Sequence, residues 1–196
     1  MNVPRLLLLT DGAQAAAAGH DLYGLLAATV AAGARAVLLR ERHLAEPQRR
    51  MLAGRLAALL DSVGGLLLVA SPALEVGAGV HLRADEPVPA KRQGLVGRSC
   101  HGPAELAGAA ADGCDYATLS PIFISGSKPG YGPALGPPAL AGAPLPVLAL
   151  GGVSAVNAAA CLAAGAAGVA VMGAVMGAAD PAGTVSDLLA ALQDAA

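Results

Sequence analysis

Eight short apolar runs recur along the chain, and Ala/Leu-rich segments able to form helices separate most of them. The runs are RLLLLTD (5–11), RAVLLRER (35–42), GLLLVAS (65–71), GVHLR (79–83), LVGRSCH (95–101), YATLSPIF (116–123), PVLALGG (146–152) and GVAVMGAV (168–175). The helical segments span 21–33, 46–62, 103–111, 154–164 and 182–194. The connection between the third and fourth runs has room for only a turn or two of helix. Alternation of strand and helix demands parallel pairing through right-handed crossovers. Eight such units predict a compact α/β single domain over 1–196, a (β/α)8 TIM barrel at the small limit of that fold. An open doubly wound sheet is the competing architecture, but its dinucleotide-binding form needs a GxGxxG turn after the first strand, which is absent. No linker, charge block or second composition divides the chain.

Composition narrows the partners. Hydrophobic residues make up 55%, charged residues 13%, and the formal net charge is -2. Such a chain offers no basic field for nucleic acid, and its four aromatics are too few for base stacking. Gly, Arg or Asp interrupts every apolar run before it reaches the length of a membrane span. The start, MNVPRLLLLTDG, lacks the form of a secretory signal. Cys100, Cys114 and Cys161 are odd in number and lack metal-ligand spacing. These features predict a reduced, cytoplasmic protein that acts on small molecules, without nucleic acid or membrane; they leave open a homo-oligomer.

In a barrel the chemistry sits at the C-terminal ends of the strands. Those ends carry Asp11, Arg40 and Arg42, Ser71, His81 with Arg83, Ser99 with His101, Ser120 to Lys128, Gly151-Gly152, and Met172-Gly173. Polar residues gather there while the strand interiors stay apolar, as a ligand site or a solvated rim would both require. The segment YATLSPIFISGSKPGYGPAL (116–135) is the most unusual. It runs from a buried strand into a Ser/Gly/Pro loop holding Lys128, one of two lysines against ten arginines. A ligand-facing loop and a plain surface connection both fit this pattern.

Glycines after the seventh and eighth strands point to phosphate. In LALGGVSAVN, Gly151 and Gly152 precede a Ser-headed helix, and GVAVMGAV places Gly173 at the next strand end. Backbone N–H groups at such places cradle phosphate, because glycine lets the ligand approach closely. Phosphate sites after strands seven and eight recur in this fold. Arg40 and Arg42, two residues apart, share one face of a strand, with Glu41 opposite. Their paired charge suits a pyrophosphate or second phosphate, held bidentately; ion pairs at a solvated strand end are the alternative.

With these residues in view, the chain resembles the thiamin phosphate synthase/thiazole tautomerase superfamily over nearly its full length. The likeness is carried by LLTD, LLRER, GVHL, VGRSCH, ADGCDYATLSPIF with SGSKPG, PVLALGGV and AGAAGVAVMGAV, in that order. The resemblance implies a (β/α)8 barrel that binds a thiazole phosphate. Synthases of the family join that compound to hydroxymethylpyrimidine pyrophosphate, release pyrophosphate and use Mg2+; tautomerases isomerise the thiazole phosphate.

Carried over by resemblance, the QLREK strand becomes Leu38-Leu39-Arg40-Glu41-Arg42, with both cations kept and the pyrimidine-contacting glutamine replaced by Leu38. The T-x-T-K loop becomes Ser125-Gly126-Ser127-Lys128. Ser99 matches the serine of the fifth strand, and Gly151, Gly152 and Gly173 match the phosphate-binding glycines. The implied catalytic set is Arg40, Arg42, Ser99 and Lys128. Ser125, Ser127, Gly151, Gly152, Met172, Gly173, His81 and His101 are the expected substrate contacts.

Two departures stand out. Where synthases carry Asn-Asp-Arg on the third strand, with the aspartate on Mg2+, this chain reads Ala70-Ser71-Pro72. The remaining candidate metal ligands are Ser71, Asp85 and Glu86, a weakened Mg2+ site. Where the characterised tautomerases place a histidine, two residues before the sixth-strand Phe, this chain has Pro121, which transfers no proton. His81 or His101 is then the remaining proton carrier, unless both are structural. Three readings result: a synthase with a weakened metal site, a tautomerase with another acid/base, and a silent thiazole phosphate binder. Retention of SPIF with SGSK and of both second-strand cations puts the synthase first.

Overall fold

Short, mostly apolar strands buried on both faces suit a parallel sheet with both faces covered, as closure into a barrel inside a ring of helices provides. The computed structural model describes residues 2–124 and 133–193 and has that architecture. Its strands are β1 (Leu6–Leu9), β2 (Ala36–Leu39), β3 (Leu66–Ala70), β4 (Gly79–Leu82), β5 (Leu95–Cys100), β6 (Tyr116–Leu119), β7 (Val147–Leu150) and β8 (Gly168–Val171). They form a closed parallel barrel in chain order. Closure comes from β1 against β8, with Leu7 opposite Ala170. The expected barrel is borne out.

Helices lie outside: α1 (Gly12–Ala17), α2 (Leu22–Ala31), α3 (Glu46–Asp61), α4 (Pro103–Ala111), α5 (Ala155–Ala163), α6 (Gly173–Met176) and α7 (Pro181–Gln193). Local chemistry sets their starts. Asp11 and Asp21 accept the Gln14 and Gly24 N–H groups at 3.0 and 2.8 Å and cap α1 and α2. Pro103 opens α4, where its missing N–H costs nothing.

Alternation along each strand splits the apolar residues into two layers. Leu8, Val37, Val69, Val96 and Val169 pack outward against the helices. Leu7, Leu9, Leu38, Leu68, Tyr116, Leu148 and Ala170 fill the barrel interior. Tyr116 is fully buried there and lies opposite Gly97 in register. A Cβ on Gly97 would sit 2.1 Å from the Tyr116 ring. The tyrosine fits because its neighbour lacks a side chain.

The structure differs from the sequence expectation in two respects. No helix forms between β3 and β4: the link passes through the cis Ser71-Pro72 peptide and an irregular stretch. The buried Arg49 of α3 donates to the carbonyls of Ala70 and Pro72, so a side chain supplies hydrogen bonds that a helix would otherwise make. The strands are also shorter than the apolar runs, because their last residues turn outward as loop or helix. Arg40 and Arg42 therefore lie just past β2, and Gly173 opens α6.

Candidate functional site

The strand ends surround one cavity of about 780 Å³, a size suited to small-molecule ligands. Arg40, Arg42, His81, Asp85, Ser99, His101, Gly151, Gly152, Met172 and Gly173 all line it. The glycines and Arg40 thus share one end of the barrel, as expected. Ser71 and Glu86 are not among the lining residues. Ser125, Ser127 and Lys128 lie outside the described residues.

The glycine side is built for close approach. Gly151 and Gly152 have φ of 91° and 65°. A Cβ on Gly152 would meet the Ile124 carbonyl oxygen at 2.6 Å, so the turn excludes side chains both by conformation and by space. Asn157 fastens it from α5: its Oδ1 accepts the Ser154 N–H at 2.8 Å and its Nδ2 donates to the Gly152 carbonyl at 3.0 Å. Among the described residues, the N–H groups of Gly152, Val153, Gly173 and Ala174 show no hydrogen-bond partner. All four residues line the cavity. Donors left over beside two helix starts suit an anion with several acceptor oxygens.

The cationic side begins with Arg40. Its Nη1 donates to Met172 Sδ at 2.8 Å, tying the end of β2 to the end of β8. Its N–H donates to Thr10 Oγ1 at 2.9 Å. Glu41 turns away from the cavity, buried, and accepts the Gly12 N–H at 3.1 Å. It therefore leaves the two arginines without a carboxylate between them. Burial, and then the charge of Arg40, lower the pKa of Arg42, yet a guanidinium stays charged at any ordinary pH. An anion between the two would relieve their repulsion.

Ser99 stands on a hydrogen-bonded chain. Its Oγ lies 3.0 Å from His81 Nε2, and His81 Nδ1 lies 2.9 Å from the Tyr116 hydroxyl. Burial, then Arg42 and Arg40, lower the His81 pKa to about 3. The imidazole is neutral at physiological pH, and its neighbours are hydroxyls that either donate or accept. Placed between the two hydroxyls, it holds Ser99 in position. His101 is exposed, with Nδ1 2.9 Å from the Ser120 carbonyl oxygen and its N–H donated to Glu105 at 2.7 Å. Thiol chemistry finds no support, since burial pushes Cys100 up to about 12.

The His81 site makes a measurable prediction. The unfolded chain protonates His81 near 6.5 and the folded chain near 3. Between these values the unfolded state binds the extra proton, so stability falls as pH drops through that window and is constant above it. The slope from this group approaches about 1.4 kcal/mol per pH unit. Urea midpoints should show the advantage of wild type over His81→Gln narrowing from pH 6.5 downward. A constant gap down to pH 4 would assign the linkage elsewhere.

The candidate metal ligands do not converge. Ser71 Oγ donates to Glu86 Oε1 at 2.7 Å, the Arg83 N–H donates to Oε2 at 2.8 Å, and the Arg83 guanidinium adds an ion pair at 3.0 Å. Burial pushes the Glu86 carboxyl up, but these bonds and the Arg83 and Arg42 charges outweigh it and hold it below the usual range. Asp85 faces the cavity, 84% exposed, with Arg83 Nε 3.9 Å away. Among the described residues no group of three or more His, Cys, Asp or Glu side chains is placed to hold a metal. Mg2+ takes a near-octahedral set of oxygens, usually one or two carboxylates together with water and substrate phosphate. Both Glu86 oxygens are engaged and, among the described residues, Asp85 is the one carboxylate that lines the cavity against three arginines, a donor set that fits a protein-held Mg2+ poorly.

Residues given no site role in the sequence reading also line the cavity: Gln14 of α1, Thr118, Ser154 and Arg83, the last named only as a strand-end residue. Of these, Arg83 had a visible signal, a cation at the end of the fourth apolar run. Gln14 had none, because α1 follows β1 too closely to announce itself.

The family model described as thiamine monophosphate synthase matches residues 6–175. A thiamine-phosphate synthase of Methanoculleus marisnigri is 39% identical over 191 residues, covering 89% of this chain and 89% of the relative. One from Anaeromyxobacter dehalogenans is 37% identical over 193 residues, covering 89% and 85%. Among solved structures, a thiamine phosphate pyrophosphorylase from Pyrococcus furiosus superposes with a TM-score of 0.84 at 22% identity, covering 97% of this chain and 96% of that one. Family model, relatives and fold agree, and the chain belongs to the thiamine monophosphate synthase family.

Proposed function

We propose that the protein is a thiamin phosphate synthase that joins hydroxymethylpyrimidine pyrophosphate to thiazole phosphate. The observation that carries this reading is the presence of two anion-binding features in one cavity: the backbone donors of Gly152, Val153, Gly173 and Ala174, and the Arg40–Arg42 pair. Two phosphorylated substrates need two such places, and an isomerase of one thiazole phosphate needs only the first.

The thiazole phosphate sits on the backbone donors. The pyrophosphate sits on Arg40 and Arg42, and Ser99, held by His81, orients it. The bond between the pyrimidine methylene carbon and the pyrophosphate oxygen breaks, and its electron pair leaves on that oxygen. The lone pair of the thiazole nitrogen forms the new C–N bond, and the nitrogen becomes the positive centre of the product. No proton has to move. The arginines disperse the charge that grows on the leaving group, which lowers the barrier. Ser125, Ser127 and Lys128 complete the pyrophosphate side by resemblance. Pro121 at the tautomerase histidine position weighs against that tautomerase chemistry.

Incubation with both half-substrates, with and without Mg2+, tests the reading by mass spectrometry. Thiamin phosphate and pyrophosphate are the expected products. If thiazole phosphate binds and no thiamin phosphate forms in either condition, the synthase assignment is lost. Interconversion of thiazole isomers in the NMR spectrum would then identify a tautomerase.

A further inference from the structure

We infer that Arg83 is a pyrophosphate-binding residue, and that its guanidinium takes the place of a protein-held metal ion in this chain. The inference rests on the synthase reading above and starts from the misfit of the donor set to Mg2+. The residue after β3 is Ser71, where the resemblance expects a metal carboxylate, and the hydroxyl of Ser71 is spent on Glu86. Glu86 in turn is spent on Arg83, through a backbone N–H and the guanidinium. Of the two carboxylates that remain, Glu86 therefore fixes a cation of the protein itself, and Asp85 is left exposed at the cavity beside that same cation.

The geometry of Arg83 suits that task. It lines the same cavity as Arg40 and Arg42, and its side chain is 59% exposed. Glu86 engages Nη2, and Asp85 lies 3.9 Å from Nε. Nη1 shows no partner among the described residues. A guanidinium has five N–H donors in a planar fork, so one edge anchored on Glu86 leaves another for phosphate oxygens. Its pair with Asp85 is long and solvent-exposed, the kind of contact that contributes little and exchanges readily. A metal ion neutralises the leaving group through direct oxygen ligation; a third arginine does so through charge-assisted hydrogen bonds. The bond making and breaking are those already described, and no further reactant enters.

Binding of inorganic pyrophosphate, followed by calorimetry on the full chain in excess EDTA, tests the inference without depending on turnover. Wild type should bind pyrophosphate without metal. Arg83→Gln should weaken that binding about tenfold or more, and Arg83→Lys should lose less, because charge without the fork recovers part of the interaction. Circular dichroism of both variants establishes that they are folded, and the lysine variant stands as the test if the glutamine variant is not. That pattern supports the inference whether or not coupling is detected. If pyrophosphate binds only when Mg2+ is added, or if both variants bind it as wild type does, the inference is overturned, even where thiamin phosphate is formed. Failure of the synthase reading shows up separately, as absence of product from both half-substrates.

Discussion

Arg42→Ala is expected to lower turnover about 100-fold or more, the usual cost of removing one charge-stabilising donor from a leaving group. Arg42 lines the cavity beside Arg40, and Glu41, the residue between them, is turned away into a bond with Gly12. No carboxylate from this segment shields the pair. In the proposed reaction the charge is in place before the C–O bond breaks, so little reorganisation is needed as the pyrophosphate departs. Thiazole phosphate binding should be nearly unchanged, since its proposed cradle is backbone just past β7 and β8. Steady-state turnover and calorimetry with thiazole phosphate separate the two effects. Equal loss of both would place the thiazole phosphate on the arginines and sink the two-site arrangement.

Gly97→Ala should destabilise the fold by about 3 kcal/mol or more, at the severe end of overpacking. The new methyl would lie 2.1 Å from Tyr116 Cζ and 2.5 Å from its hydroxyl oxygen. Tyr116 is fully buried between strands and cannot swing out. Any movement of the ring also pulls on His81 Nδ1, and through His81 on Ser99. Denaturant unfolding should show the loss, and the additional substitution Tyr116→Phe should not restore it, because the ring carbons collide as well as the hydroxyl. Wild-type stability for Gly97→Ala would mean that the barrel interior has room this packing does not show.

These two cases mark what one-dimensional information carries. The eight apolar runs, the glycines at the seventh and eighth strand ends and the Arg40/Arg42 spacing were legible as sequence, because period, chain order and local conformation are properties of neighbours in the chain. A parallel strand must be apolar on both faces, and a turn that approaches a ligand closely needs glycine, whatever surrounds them. The motif resemblance extended this to a family, which the comparisons bear out. The absence of a helix between β3 and β4 was less legible, since the Arg49 bonds to Ala70 and Pro72 join residues more than twenty apart.

Partner choice was decided only in three dimensions. Ser71 and Glu86 read as candidate metal ligands because their types are right, yet the fold sets them against each other and against Arg83. His81 is one of two candidate proton carriers in the sequence, until burial and then the charges of Arg42 and Arg40 lower its pKa beside Tyr116 and Ser99. Gly97 carries no signal of its own in the sequence; its role comes from the register, which puts Tyr116 opposite. In each case the chemistry of a side chain depends on groups far away in sequence, whose arrival is fixed by barrel closure and strand register. The chain itself determined the scaffold and the place of the site; the tertiary contacts determined which of its polar residues remain available to a ligand, because a hydrogen bond or ion pair already made inside the protein removes that group from the cavity.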